Sequence, residues 1–492
     1  MSEIPYQRRL ERAVVRFQAR LEGGPGDRWI PSLVAIGLTA WLARLAISRL
    51  EGFGTGLALA GYSQSLWLLG ELLEPRASLF GSDVHVLELR WSFILYPLAV
   101  IARFASPPKV LIAAQAIALG LAVFPLWRLA RDVAKLRIGA ASALVVAYAL
   151  HPATHRLAVE DFHPVVLAVP AIVGMAYFGK TKRWVWYWAC VIVALACRAD
   201  LGLAIALWGL VLLGDGERRA GLWTLGVGSI YSLALLLVAQ PLLGRTGGGT
   251  TVGYNGQTLG DVVLTSIRSP VDSLQAIVAQ DNLALLVALL APVIFLPLLS
   301  LRYLLPALPL AGLYLLAGGA EDAAFAERGA MLLAFVMIAT PFALNRLGNM
   351  GVDRVFLDVR LLTTLTAASV LLFVSASPAS PYESPWNWGE LDATDRAIER
   401  AAAMLDDDVP VRASPSALAL LSERPWLYPL AESSQPTAVN MGFPAITRAV
   451  LVVEREIPER TLTEREEFDR NMGLQGFELA FDDEGVSLYA RG

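Results

Sequence analysis

Charge is scarce in this sequence. Of 492 residues only 17% are Asp, Glu, Lys or Arg, against 55% hydrophobic. That balance excludes an ordinary soluble enzyme of two or three domains and belongs to a membrane protein. Cysteine is scarcer still: Cys190 and Cys197 are the only two, seven apart in one apolar run, where packed thiols are expected in place of a disulfide or a metal pair. No basic patch with interleaved aromatics occurs, so nucleic-acid binding has no support. No small-residue cleavage signal accompanies Arg8, Arg9, Arg12, Arg16, Arg20 and Arg28, so the basic N-terminus is expected to be retained and the first apolar run to serve as an anchor. Gly247, Gly248 and Gly249, followed by Thr250 and Thr251, lack a preceding strand and a Gly-Lys-Ser/Thr ending, which argues against a phosphate loop. Asp406, Asp407 and Asp408 lack a calcium-ligand loop.

What is present is apolar length. Runs bounded by charges occur near 30–48, 110–127, 138–151, 165–179, 184–197, 201–213, 221–243, 283–299, 303–318, 329–344 and 361–375. Backbone amides in lipid need internal partners, so these runs are expected to be helices. They predict an all-α polytopic membrane protein of about eleven transmembrane helices, with residues 1–29 as a basic cytoplasmic segment and 30–375 as the helical domain. Pro378, Pro381 and Pro385 mark a linker over 376–390. Beyond it, 391–492 reads as a small C-terminal α/β soluble domain, with a helix at 391–405 and strands at 409–413, 448–453, 476–481 and 486–490.

The net charge of −4 conceals an asymmetry: beyond residue 376 there are 21 acidic and 10 basic residues. The two parts therefore face different environments. Leu89 to Phe104 is apolar enough to cross, and counting it as a span reverses everything downstream. The positive-inside rule decides. Without that crossing, the N-terminus shares a side with Arg128, Arg131, Lys135, Arg137, Lys180, Lys182, Arg183, Arg218 and Arg219. Residues 51–109 are then one long external loop, with 89–104 along the membrane surface between Arg90, Arg103 and Lys109. The same parity puts 151–164, 198–200, 244–282 and the C-terminal domain outside.

Ionisable groups at membrane depth are functional candidates by default. The densest cluster is His151, His155, Glu160, Asp161 and His163, which holds three of the four histidines. His151 and His155 share a helix face and with His163 would make a metal set, although no further ligand spacing supports one and interfacial histidines also simply hydrogen-bond. Arg198 and Asp200 interrupt an otherwise apolar stretch. They suit either a phosphate gripped by an arginine fork near helix ends or an ion pair that only holds a hairpin together. In the first loop Gln64, Glu71, Glu74, Asp83, His85 and Glu88 offer acid, base and amide groups. Asp83 and His85 are the preferred pair for activating a hydroxyl, against the plainer reading of a solvated loop.

These residues resemble a known pattern. Asp161, Phe162, His163 and Pro164, followed by Leu167, Ala168, Val169 and Pro170, look like the Asp-Phe-His-Pro element of the multi-pass bacterial membrane proteins of domain-of-unknown-function family 2079. Arg198, Ala199 and Asp200 look like its charged turn, and Gln64, Ser65, Leu66 and Trp67 like its Gln-x-Leu-Trp stretch. The likeness runs from about Leu57 to Leu316. That family is similar in layout to the type C (GT-C) glycosyltransferases, which take a sugar from a polyprenyl-phosphate carrier outside the membrane. The resemblance implies a GT-C-like fold and Arg198 as the ligand of the lipid phosphate. It also implies a polyprenyl-phosphate-linked sugar as donor and a glycan or cell-envelope component as acceptor. Departures from the pattern fall at Ala58, Val165 and Ala199, where the family carries acidic residues.

On this basis Asp161, Asp83 and His163 are the catalytic candidates. Arg198, Asp200, Gln64, His85 and Glu160 are the substrate-binding candidates. No metal ligands are assigned, no cofactor is identified, and nothing supports a divalent cation. The alternative is a non-catalytic polyprenyl-lipid-binding or transport protein, although no internal repeat of the kind transporters use is visible. Orientation is open to a direct check: in intact cells Tyr254→Cys is expected to react with an impermeant thiol reagent and Lys182→Cys to stay silent. The opposite pattern reverses the scheme.

Overall fold

The computed structural model describes residues 22, 24–81, 85–87, 91–198, 200–234, 268–271, 275, 279–316, 322–351, 354–382, 390–430, 446–456 and 462–491. Where described, the apolar runs fold as helices: Gly26–Glu51, Pro107–Leu121 continuing through Val123–Arg128, Ile138–Ala149, Ala168–Lys180, Trp184–Cys197, Leu201–Gly214, Arg218–Ala234, Gln280–Leu290, Leu308–Leu316, Asp322–Leu347 and Val359–Ala376. Four of the described helices have the length and apolarity to cross a bilayer, namely Gly26–Glu51, Pro107–Val133, Gly329–Leu347 and Val359–Ala376. Ile138–Ala149, Pro164–Lys180, Trp184–Cys197 and Leu201–Gly214 are shorter apolar helices. At about 1.5 Å per residue they fall short of a hydrocarbon core roughly 30 Å thick. The expected count of about eleven spans is therefore not reached by length and composition. A mostly helical membrane fold with a small C-terminal sheet stands.

Two runs expected as separate spans, 283–299 and 303–318, fall on one bent pair, Asn282–Val293 and Leu296–Gly312, at 87°, whose break lies inside the first run. The cause is local. Pro292 and Pro297 remove amide donors, and Ile294 (φ 45°) and Phe295 (φ 57°) both take left-handed backbone, which is costly for side chains of this bulk. The break frees carbonyls that side chains then satisfy: His151 Nε2 lies 3.1 Å from Leu289 O, and Ser369 Oγ donates to Pro292 O at 2.8 Å.

The chain divides into two compact units that are not collinear with it. One contains Met1–Ala43, Gln115–Ala158 and Pro164–Ser384; the other contains Arg44–Ala114, Val159–His163 and Pro385–Gly492. Within the first, Leu201–Gly214 and Arg218–Ala234 pack closely through glycines at seven-residue spacing. A Cβ at Gly209 would stand 2.7 Å from Gly221 O, and one at Gly228 would stand 2.5 Å from Gly202 O and Ala206 N. Small residues allow such backbone approach, which is how helices associate where no hydrophobic drive separates lipid from side chain. Arg131, 1% exposed, is neutralised by Asp27 through two bonds of 2.7 and 3.0 Å, and the Trp127 indole donates to the same carboxylate at 3.1 Å. Asp215 likewise bridges Lys180 and Arg302 at 2.6 and 2.7 Å.

The second unit is built on a five-stranded sheet. After a two-residue ladder in the first unit (β1, Asn349–Met350; β2, Val355–Phe356), its strands are β3 Val411–Ala413, β4 Leu427–Pro429, β5 Ala449–Val453, β6 Glu478–Asp483 and β7 Val486–Ala490. Their order is β4-β3-β5-β7-β6, with β4, β3 and β5 parallel and β7 and β6 antiparallel. Every residue of β5 is buried because both faces are covered. Ala449, Leu451 and Val453 enter one core with Ile398, Val411, Leu421, Leu427 and Leu488. Val450 and Val452 enter the other with Phe468, Met472 and Phe477. The first core also takes in Phe53, Ala60 and Leu79, so residues of the expected external loop complete the apolar interior of the tail sheet.

The glycine contacts give a stability test. Gly228→Ala is expected to lower the melting temperature in detergent, at an over-packing cost of about 1–3 kcal/mol. Gly226→Ala, whose added Cβ would meet nothing within 4 Å, should leave it unchanged or slightly raised.

Candidate functional site

The segment Val159–His163 belongs to the second unit although its neighbours on both sides belong to the first. Helix Pro152–Val159 ends, and Pro164 opens a 3-10 turn. A residue before proline is driven out of helical geometry, and Glu160 to His163 form a short non-helical strap. Its anchor is Asp161. Helix Leu57–Gly70 begins with unsatisfied amides, as every helix does, and its N-cap is Gly56, which has no side chain to supply an acceptor. Asp161 supplies it from 105 positions away: Oδ1 accepts from Gly56 N at 2.8 Å and Oδ2 from Ala58 N at 3.2 Å. A carboxylate also suits the positive end of the helix dipole. Glycine at 56 allows this approach: a Cβ would stand 2.7 Å from Oδ2, and the carboxylate would have to shift. The Arg49 guanidinium adds a donor to the Val159 carbonyl.

Aromatic packing continues the strap inward. Phe162 is buried edge-on against Tyr62 at 5.5 Å, and Tyr62 meets Phe80 at 5.3 Å, distances at which edge-to-face rings attract. Gly61 admits Phe80, whose ring lies 2.4 Å from where its Cβ would be. One turn on, Gln64 is fully buried. Its Nε2 is within donating distance of Ser78 Oγ (3.0 Å), Arg424 O (3.1 Å) and Pro425 O (3.2 Å), while its Oε1 accepts from Leu79 N (3.3 Å). Ser78 Oγ accepts from Leu427 N at 2.8 Å and donates to Leu427 O at 2.7 Å, so it pairs with the edge strand β4. Arg424 donates to Leu421 O, Asp406 O and Val409 O. Burial pushes this guanidinium below its ordinary pKa, opposed by Asp407 and Asp408.

The candidates thus fall into two sets. Gln64, His85, Glu160, Asp161 and His163 lie in the unit that holds the sheet; Arg198 and Asp200 lie in the helical unit. Asp83 and Glu88 are outside the described residues, as are Ala199 and the Gly247–Thr251 stretch. His163 is 7% exposed. His85 pairs through its backbone with Arg76, and its Nδ1 accepts from Leu87 N at 3.1 Å. Between helices Trp184–Cys197 and Leu201–Gly214, Arg198 is extended, and its Nε stands 3.0 Å from Asp200 Oδ1, both side chains buried. The histidine set considered for a metal is divided. His151 bonds to Leu289 O and accepts from Ala153 N, and His155 bonds to Ala149 O and packs on Phe373, while His163 lies in the other unit. Among the described residues no three His, Cys, Asp or Glu side chains converge.

Sequence reasoning missed Arg49, Phe80 and Ser78. Only Gly56 and Gly61, flanking the start of one apolar helix, hinted at a close approach there.

Chemically, a carboxylate oxygen carries two lone pairs, so Asp161 can cap a helix and still present an acceptor to a hydroxyl. Replacing it tests the cap. Asp161→Ala should destabilise the protein by about 1–3 kcal/mol and speed hydrogen exchange at the Gly56 and Ala58 amides, with Asp161→Asn intermediate. Unchanged exchange at both amides would remove the capping role.

Comparison with known proteins follows this geometry. The sequence matches the family described as "Predicted membrane protein (DUF2079)" over residues 49–488. No curated protein matches it. Among solved structures, ArnT from Cupriavidus metallidurans in the apo state is similar with a TM-score of 0.54 at 14% identity, covering 94% of this chain and 97% of that one. The same protein bound to undecaprenyl phosphate is similar with a TM-score of 0.53 at 12% identity, covering 93% and 97%. At this identity the likeness establishes the fold, and the GT-C-like layout expected from the sequence stands.

Proposed function

The chain belongs to the DUF2079 family of predicted membrane proteins, and we propose that it acts as a GT-C-like glycosyltransferase homologue. In this reading it binds a polyprenyl-phosphate-linked sugar and transfers the sugar to an extracytoplasmic glycan or cell-envelope acceptor. The observation that carries the reading is the fold likeness, over nearly the whole of both chains, to ArnT, whose structure holds undecaprenyl phosphate.

In the proposed reaction an acceptor hydroxyl oxygen attacks the anomeric carbon, the bond from that carbon to the phosphate oxygen breaks, and polyprenyl phosphate leaves with the electron pair. The hydroxyl proton passes to a carboxylate, Asp161 or Asp83. Arg198 would hold the lipid phosphate, its plane oriented by Asp200 at Nε; a guanidinium fork fits phosphate oxygens in this way. His163, His85 and Glu160 would orient donor and acceptor. Gln64, first considered for sugar hydroxyls, has its amide taken up by Ser78, Leu79, Arg424 and Pro425, and its proposed job is to hold helix Leu57–Gly70 in place. The proposed orientation has the N-terminus cytoplasmic and the tail domain outside. Arginine and lysine placement supports it, as does the core shared by Phe53, Ala60, Leu79 and the sheet, which requires first loop and tail to lie on one side.

A second reading, a non-catalytic polyprenyl-lipid binder, is favoured by one observation: two of the described candidate carboxylates, Asp161 and Asp200, are already engaged, by backbone amides and by Arg198. Purified protein incubated with polyprenyl-phosphate sugars and acceptor separates the two. Turnover that falls by about 10²-fold or more in Asp161→Ala, with binding lost in Arg198→Ala, is the expected result. Binding without turnover in the native chain gives the second reading, and binding retained in Arg198→Ala removes Arg198 from the phosphate.

A further inference from the structure

The tail domain carries apolar side chains that its own cores do not use, and two of them stand at a place the chain itself marks as a membrane boundary. Helix Pro107–Val133 has the length and apolarity of a membrane span and starts at Pro107, so the residues just before it lie where water meets lipid. Arg103 and Lys109 flank this start, as cations do at span ends. Immediately outside it, Ser106 Oγ donates to Glu423 Oε1 at 3.2 Å. Glu423 sits in the turn that leads into β4. That turn therefore stands at the same boundary.

The turn is firmly held there. Leu421 points into the core shared with Phe53 and Leu79, the Arg424 and Pro425 carbonyls take the Gln64 amide, and Leu427 is paired at both backbone groups with Ser78. With these residues fixed inward, Leu420 and Trp426 face outward, 47% and 42% exposed. On the loop side of the same boundary, Val100, Ile101 and Phe104 are also exposed, Phe104 at 87%. Single exposed apolar residues are ordinary on a soluble surface. A tryptophan and a leucine on a turn whose Glu423 accepts from Ser106, the residue just before a span, are placed to meet a lipid surface, and tryptophan is the side chain that settles at the headgroup level.

We propose that the turn containing Leu420 and Trp426 is a membrane contact of the tail domain: both side chains enter the headgroup layer of the bilayer beside Phe104. The tail domain then rests on lipid by its β4 edge. The sheet order sets the opposite edge, β6, four strand spacings or about 19 Å away, and Leu479 on β6, 52% exposed, serves as the internal control. The proposal does not depend on any reading of the catalytic function.

The test uses the full chain in phosphatidylcholine–phosphatidylglycerol vesicles, with Leu420→Cys, Trp426→Cys and Leu479→Cys each labelled with an environment-sensitive fluorophore. The parent, which keeps Cys190 and Cys197, is the labelling blank. Expected is several-fold stronger quenching at 420 and 426 than at 479 by nitroxides carried near the lipid headgroup, with the order reversed for aqueous iodide. Each substitution is at an exposed position, and an unchanged melting temperature in detergent verifies the fold. If 420 and 426 answer to lipid-borne quencher no more than 479 does, the membrane contact is overturned. Shielding that appears in native membranes and is absent from lipid vesicles would overturn it too and assign the turn to a protein partner.

Discussion

The carboxylate of Asp161 at the head of helix Leu57–Gly70 is the interaction on which the arrangement of the second unit turns. The helix cannot cap itself, because its N-cap is glycine, and a Cβ there would push the Asp161 carboxylate out of its place. The two facts fix each other. With the strap pinned, Phe162 is delivered to Tyr62 and His163 is carried into a buried position beside it in sequence. One turn further along the same helix, Gln64 passes the constraint to the tail domain through the Arg424 and Pro425 carbonyls. Three stretches far apart in sequence are thus joined by a few side chains, Asp161, Gln64 and Ser78, bonded to backbone groups.

The helical unit solves a different problem. Its buried charges are paired, Arg131 with Asp27 and Arg198 with Asp200, and the partly exposed Asp215 is shared by Lys180 and Arg302. An unpaired ion at such positions would be far more costly than the pair. The sharply bent pair Asn282–Val293 and Leu296–Gly312 is held by His151 and Ser369, which satisfy carbonyls the break exposes. Irregular backbone at membrane depth is tolerated only where protein supplies such partners.

Much of the architecture was legible in the sequence, because hydropathy and burial are nearly the same statement for an apolar run. Helices appeared where runs such as 184–197 and 201–213 stood, and β5 and β7 lie where continuous apolar stretches placed them. The strand Leu427–Pro429 was not legible: three residues ending in proline carry no alternation, and an edge position is what lets proline remain. The merging of 283–299 with 303–318 into a bent pair was hidden too, since two left-handed residues, Ile294 and Phe295, have no signature in composition. For the site, residue types marked Asp161, His163, Arg198 and Gln64 as unusual, while their partners were invisible. Nothing local in the sequence says that Asp161 meets Gly56 or that Gln64 meets Arg424, because both are contacts between stretches more than 100 residues apart.

The core that Phe53, Ala60 and Leu79 share with the tail sheet has a consequence for biogenesis. Synthesis at about 5–20 residues per second delivers the first loop on the order of half a minute before Ile398, Val411 and Leu451 are made. Through that interval the loop lacks the partner that buries its apolar side. Its final shape must wait for Ile398 to Leu488 to be made and to fold back onto it, so the loop matures only after the sheet does.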